Sequence, residues 1–480
     1  MTFRTFFQSL ALTFTLGSVP AIAQVNLPSL GDASSAIVSP EQEYQTGQYF
    51  LRAFHRQAPV SDDPLLYTYL QSLIRQMIYH SPLPQKRFNL IVVDSTSFNA
   101  FAVPGNVIGI NTGLLSFADS EDQLSSVVAH EIAHLSQRHY ARTLERQKQQ
   151  SLVSLATMLG SLLILAAGGA DAGLAALTAS QAAAISNRLK YSRLDEQEAD
   201  RIGMQILYES GMNPTAAANM FQHMLVSLRY RTDVREYDFL LTHPLTDARV
   251  ADAFNQARSY PAKNDRDSFD FHLMKARIYF LESNNPKLAA RHFKEEMIQA
   301  KFPKASEYGQ GISLLAAEKT ADAAKIIDKL YLDSPHRPAF ILAKADLLQA
   351  QDKTNESITL LRQHLKISPG NFAISMALAE KLIDNHQPKA SSDVLKGILR
   401  AGYNEVPSVW FLLAETEGLS GNVAGVHLAR AEFYIRIGAF VQAQRHLNLA
   451  LPLLDDNVQA STRAHLRIKQ VEALKQASPF

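Results

Sequence analysis

Apolar residues in the first third of the chain recur with two different periods. Tyr49, Phe50, Ala53 and Phe54, then Leu66, Tyr69, Leu70, Leu73 and Ile74, keep the three-and-four spacing of a buried helix face, which predicts helix through Glu41–Ser81. Phe88–Asp94 (FNLIVVD) and Asn106–Asn111 (NVIGIN) are short, apolar and rich in β-branched residues. They read as strands, with Pro104-Gly105 as the turn before the second. A helix is predicted to start at Ser120, where Ser120 and Gln123 form a capping box and Glu121 and Asp122 suit the positive end of the helix dipole. Leu124, Val127, Val128, Ile132 and Leu135 give that helix its apolar stripe. A further helix is expected over Lys190–Gly211, closed by Gly211 with Pro214 beyond it. Met212–Arg249 begins helical and enters a loop at LLTHPLTDAR, residues 240–249.

From about Asp270 the period lengthens to 34. Tyr308, Leu342, Met376 and Trp410 are successive steps of 34, and Gly309, Ala343 and Ala377 follow them, as do Gly311, Ala345 and Ala379. Ile326, Leu360 and Val394 make another column, Tyr331, Leu365 and Leu399 a fourth, and Ser334-Pro335 recurs as Ser368-Pro369. Large apolar residues where two helices interlock, small ones where they cross and proline between units are the marks of a helix–turn–helix repeat. Such an array buries each unit only against its neighbours and leaves an extended surface for partners.

Two segments stand apart. Met1–Arg4 carries one positive charge, Phe6–Leu16 is largely apolar, and Ala21 and Ala23 form an A-x-A ending, so residues 1–23 read as a secretory signal peptide and the expected location is the periplasm. Residues 24–40 are small and polar and are expected to be flexible. Leu152–Ala170 holds no charge over 19 residues, close to the roughly 20 that span a bilayer. Its Ser154, Thr157, Gly160, Ser161, Gly168 and Gly169, with no flanking aromatic anchor, favour a buried helix or mobile hairpin beside the site over a span, with peripheral membrane contact left open.

Composition narrows the chemistry. With 480 residues, two to four domains are expected at roughly 100–200 residues each. The balance of 47 basic and 46 acidic residues gives no basic surface for nucleic acid. With no cysteine there is no disulfide, thiolate metal ligand or thiol nucleophile. The fold class expected is mainly α: an α+β domain with a small sheet over 41–265, followed by an α-solenoid of tetratricopeptide-like repeats over 266–480.

The chemistry concentrates in VVAHEIAHLSQRHYAR, residues 127–142. His130 and His134 stand at i and i+4 on one helix, roughly 6 Å apart, so both imidazoles can reach one ion, and zinc suits imidazole ligands best. Glu131, rotated about 100° from His130, reaches a metal-held water rather than the metal, the general-base position of H-E-x-x-H metallopeptidases. A catalytic zinc needs a third protein ligand. Gln137 and Tyr140 stand where a metzincin would have glycine and histidine, and His139 is out of register by one, a surface or supporting residue. LDEQEADRIG, residues 194–203, offers Glu196 and Asp200 on one helix face, a ligand and an orienter of a ligand imidazole, with Glu198 turned toward solvent. Spacing alone does not choose between Glu196 and Glu198.

HEIAH followed by EQEAD resembles the zinc endopeptidase family that includes the CAAX prenyl-protein endopeptidases and the membrane heat-shock protease HtpX. The resemblance implies one Zn2+ per chain on His130, His134 and Glu196, with Glu131 and Asp200 as catalytic residues. Together with the leader and the repeats, it extends to the periplasmic members that aid outer-membrane β-barrel assembly. That likeness implies His243 in LLTHPLTDAR as a fourth, displaceable ligand that keeps the enzyme latent. It also implies Arg249 near the reacting carbonyl and an edge strand within Ser97–Asn111 for an extended substrate. The implied role is cleavage and chaperone-like quality control of unfolded or misassembled outer-membrane proteins, with the barrel assembly machinery and the lipopolysaccharide transporter reached through the repeats. Two other readings are an assembly scaffold whose zinc site stays latent, and an integral membrane protease if residues 152–170 span.

Overall fold

The structure, a computed structural model, describes residues 38–146, 192–230, 238–264 and 267–477. The expected leader, nearly all of the 24–40 segment, the apolar stretch 152–170 and the expected division at 265–266 lie outside those residues. Among the described residues no helix is long and apolar enough to cross a membrane.

Helix α1 (Pro40–Gln57) starts at Ser39, whose hydroxyl accepts from the Gln42 amide while the Gln42 side chain returns to the Ser39 amide. Asp63 caps α2 (Pro64–Tyr79), and the Pro59 and Pro64 region separates the two. The sheet holds β1 (Asn89–Val93), β2 (Ala100–Val103) and β3 (Val107–Asn111) in the order β1-β3-β2. β1 runs parallel to β3, and β2 antiparallel to it, with Ala100 opposite Ile110. The hairpin turns through Gly105 at φ +81° and Asn106 at φ +58°, and two successive positive φ values explain the glycine and asparagine. Of the two outer strands, β1 and β2, the one within Ser97–Asn111 is β2. The predicted strand at 106–111 lies in the centre of the sheet.

After α3 (Thr112–Phe117), α4 (Glu121–Ser136) begins at Ser120, whose side chain accepts from the Gln123 amide. Only half of the predicted capping box forms, because the Gln123 carbonyl takes the Asp119 amide at 3.0 Å. Nor is α4 amphipathic in its setting: every residue from Glu121 to His134 is buried. Beyond α5 (His139–Arg146) come α6 (Arg193–Glu209), α7 (Thr215–Tyr230), the short α8 (Phe239–Thr242) and α9 (Asp247–Ala257). α6 lies across α4 at Gly203, where a methyl group would stand 3.2 Å from both N and Cα of His130. Any Cβ there would press the two helices apart by a few tenths of an ångström.

Helix pairs follow: α10 (Phe269–Glu282) and α11 (Pro286–Glu296), α12 (Pro303–Ala316) and α13 (Thr320–Asp333), α14 (Pro338–Ala350) and α15 (Thr354–Ile367). α16 (Phe372–Asp384) and α17 (Pro388–Arg400), α18 (Pro407–Leu419) and α19 (Val423–Arg436), and α20 (Phe440–Ala450) and α21 (Val458–Ala477) continue the series. The column Gly311, Ala345, Ala379 marks the crossings. Ser357 and Ser391, themselves 34 apart, donate to the Ala345 and Ala379 carbonyls at 2.8 Å. The fully buried column on the second helices is Ile327, Leu361 and Leu395, whereas the predicted Ile326, Leu360 and Val394 flank it half-buried.

One apolar core runs from Leu65 on α2 through α4 and α6 to Leu382 on α16. Tyr67 packs on Phe372, ring centres 5.5 Å apart, and Lys275 donates to the Ala118 carbonyl at 2.7 Å. Arg277 joins Asp63, at 2.7 Å from its Nε, to the Tyr308 hydroxyl, 3.0 Å from Nη1.

Candidate metal centre

His130 and His134 project one turn apart from α4, Glu196 comes from the first turn of α6, and His243 caps the C-terminus of α8. All four are buried, and one ligand atom from each lies within 4.8 Å of the others. His134 Nε2 is 3.0 Å from His130 Nε2, which is 3.3 Å from His243 Nδ1. Glu196 Oε1 stands 3.0 Å from His243 Nδ1 and 3.5 Å from His134 Nε2, and Oε2 is 3.7 Å from His130 Nε2. The pair left open by spacing, Glu196 and Glu198, is thus divided by the fold: Glu196 joins the imidazoles, and Glu198 turns to His139 and Arg142. Glu198 is not simply a solvent-facing residue, and His139 is not on the surface; it is fully buried.

Asp200 sits one turn beyond Glu196, its Oδ1 3.0 Å from His130 Nδ1. A carboxylate only accepts, so a His130 proton on Nδ1 would face Asp200 and leave the Nε2 lone pair turned into the cluster. There it meets the acceptor oxygens of Glu196. Acceptors converging on acceptors in a buried site are what a cation resolves, so this donor set fits a divalent metal.

Arg249 closes the far side. Its Nε and Nη2 bind Asp200 Oδ2 and Oδ1 at 2.9 and 2.8 Å, and Nη1 reaches Glu196 Oε2 and the Pro244 carbonyl, each at 2.8 Å. Burial pushes the Glu196 and Asp200 carboxyls up, but His243, His130 and Arg249 at Glu196, and His130 and Arg249 at Asp200, outweigh it and hold both below the usual carboxylate range. Burial drives His134 well below the usual imidazole range, with His130 and His243 adding to it.

Glu131 is buried beside the cluster, 3.4 Å from His243 Nε2. Burial pushes its carboxyl up to about 8, with Glu196 adding to the rise, against the pull of His130 and of the nearby Ala102 amide of β2. The general-base candidate therefore lies beside the edge strand.

His243 is held from behind. Its ring stacks on Phe239 with centroids 4.5 Å apart, and Phe239 meets Phe98 edge-on at 5.6 Å. The Phe239 amide donates to the Phe98 carbonyl, and Ser97 Oγ lies 3.1 Å from Asp238 Oδ2. Asn111 donates to the same Ser97 oxygen at 2.9 Å. Burial pushes the Asp238 carboxyl up to about 6. Sequence reasoning missed Asp238 and Phe239, and took Ser97 only as the start of the edge-strand stretch. The signal for the first two is a short apolar run after an aspartate just before His243.

Residues 64–257 match the profile of peptidase family M48. The chain is 31% identical over 477 residues to the beta-barrel assembly-enhancing protease of Escherichia coli (strain K12), covering 98% of this chain and 96% of that one. A protein of the same name from Yersinia pestis is 30% identical over 471 residues, 96% of this chain and 94% of that one. The mitochondrial metalloendopeptidase OMA1 of Schizosaccharomyces pombe is 26% identical over 185 residues, 38% of this chain and 50% of that protein.

Proposed function

Because this chain belongs to peptidase family M48, with the beta-barrel assembly-enhancing proteases, we propose that it is a zinc metalloendopeptidase acting in the bacterial periplasm on unfolded or misassembled outer-membrane proteins. The observation that carries this reading is the convergence of His130, His134, Glu196 and His243 within 4.8 Å, with Glu131 against them.

The first three side chains would hold the ion, and His243 would fill the fourth position as a displaceable plug. When bound, zinc polarises a scissile carbonyl and makes water a better acid. Every other step belongs to the protein. Asp200 orients His130, and Arg249 holds Asp200 and Glu196 in register. Glu131 takes the proton of the attacking water and hands it to the leaving amine. Beside a bound cation the Glu131 carboxyl would be held lower than burial alone leaves it, and would start as a base. Among the described residues β2 pairs only with β3, so an extended substrate can add to its other edge once the 238–243 segment withdraws. The repeats supply the surface that recruits clients and the barrel assembly machinery. Residues 1–23 are its export signal.

A second reading, an assembly scaffold whose metal site stays latent, draws on the position of His243 inside the ligand cluster. Glu131→Gln separates the two. It should keep metal and fold while cleavage of an unfolded outer-membrane protein falls at least about 100-fold. If a strain lacking the gene is restored fully by Glu131→Gln, the scaffold reading replaces the proteolytic one.

A further inference from the structure

We propose that Glu198 and His139 form a positioning chain that fixes the tautomer of His134, so that its Nε2 lone pair faces the metal; this rests on reading His134 as a ligand. His139 Nδ1 lies 2.8 Å from His134 Nδ1, and His139 Nε2 lies 3.1 Å from Glu198 Oε2. Two Nδ1 atoms at that distance require that one donate and the other accept. Glu198, a carboxylate, only accepts, so the proton of His139 sits on Nε2 and its Nδ1 is an acceptor. His134 must then donate from Nδ1, which leaves Nε2 unprotonated. That is the nitrogen 3.0 Å from His130 Nε2 and 3.5 Å from Glu196. Without Glu198, His139 can carry its proton on Nδ1, and His134 then turns an N–H toward the cation site.

The two ligand imidazoles of α4 are thus set by different devices. His130 meets its carboxylate directly through Asp200, whereas His134 meets one through a second imidazole. Arg142 anchors the far end, bonding Glu198 and standing 3.8 Å from Asp195. His139, Asp195 and Glu198 could gather a second cation by spacing alone. The Arg142 guanidinium already supplies positive charge there, which favours the positioning role.

The test uses the full chain, loaded with zinc and titrated against a competing chelator, with metal content counted and fold checked by circular dichroism. Glu198→Ala and His139→Ala should each weaken zinc binding 10- to 100-fold, the range for partners that orient a ligand imidazole. Glu198→Gln, whose side-chain carbonyl still accepts from His139, should recover most of the affinity. In protein carrying 15N-labelled histidine, His134 should bear its proton on Nδ1, and Glu198→Ala should disturb that signal. Unchanged affinity in both alanine variants, or equal loss in Glu198→Ala and Glu198→Gln, overturns the proposal. So does a second zinc ion per chain that vanishes with Glu198→Ala. His134→Ala is the arm that tests the underlying reading: if it too leaves affinity unchanged, the metal assignment fails, whereas loss in His134→Ala alone sinks only the positioning chain.

Discussion

Gly203 is the place where a single methyl group should separate metal binding from folding. An alanine there would bring Cβ to 3.2 Å from His130 N and Cα and 3.3 Å from Ala129 C. Carbon atoms pack comfortably at about 3.5–4.0 Å, so α6 must retreat from α4 by a few tenths of an ångström. Both sides of the contact are backbone, and no side chain can swing away. The retreat carries Glu196 and Asp200 with it, and their oxygens now sit 3.5–3.7 Å and 3.0 Å from the imidazoles they serve. Metal sites tolerate about ±0.2 Å in ligand distance, so affinity should fall roughly 10- to 100-fold. The fold suffers less. Overpacking costs about 1–3 kcal/mol, and replacing a helical glycine by alanine returns about 1 kcal/mol. Chelator competition measures the affinity, and thermal melting in excess chelator measures the fold. Wild-type affinity and activity in Gly203→Ala, or a collapsed melting temperature with affinity intact, would refute the idea that this close approach sets the ligand register.

Two further outcomes follow from groups away from the metal. Arg277→Ala removes the partner of Asp63 Oδ2 and of the Tyr308 hydroxyl at the seam between α2 and the repeats, while Asp63 Oδ1 keeps its cap bonds, and should cost about 3 kcal/mol in chemical denaturation. His55 lines a cavity between α1 and residues 405–408, and burial pushes its pKa down to about 4. Its contribution is complete above its ordinary value of 6.5 and is lost as the pH falls toward 4, so His55→Gln should flatten the fall in melting temperature across that window.

The local parts of this protein were legible in its sequence, and the crossings were not. The i, i+4 histidines, the Ser120 cap and the 34-residue columns are short-range patterns, and the helices form where those patterns end. β2 gave no separate signal, because Ala100–Val103 is buried on both faces and shows no alternation. Glu196 and Glu198 differ only in rotation about α6, so their roles waited on how α6 meets α4. His139 stood out of register with the metal motif. What gives it a purpose is Glu198, 59 residues away on another helix. The repeat columns missed the deepest position by one residue, since Ile326 and Ile327 are equally apolar and only packing ranks them.

The shared core from Leu65 to Leu382 has a practical outcome for anyone who wants to work with half of this molecule. A fragment ended after α9 would bare Tyr67 and the flank of α3 to water, and the severed repeats would bare Phe372 and Phe271 in turn. Each piece would expose oily surface and tend to clump. Dissection of this protein is better done by point substitution than with scissors.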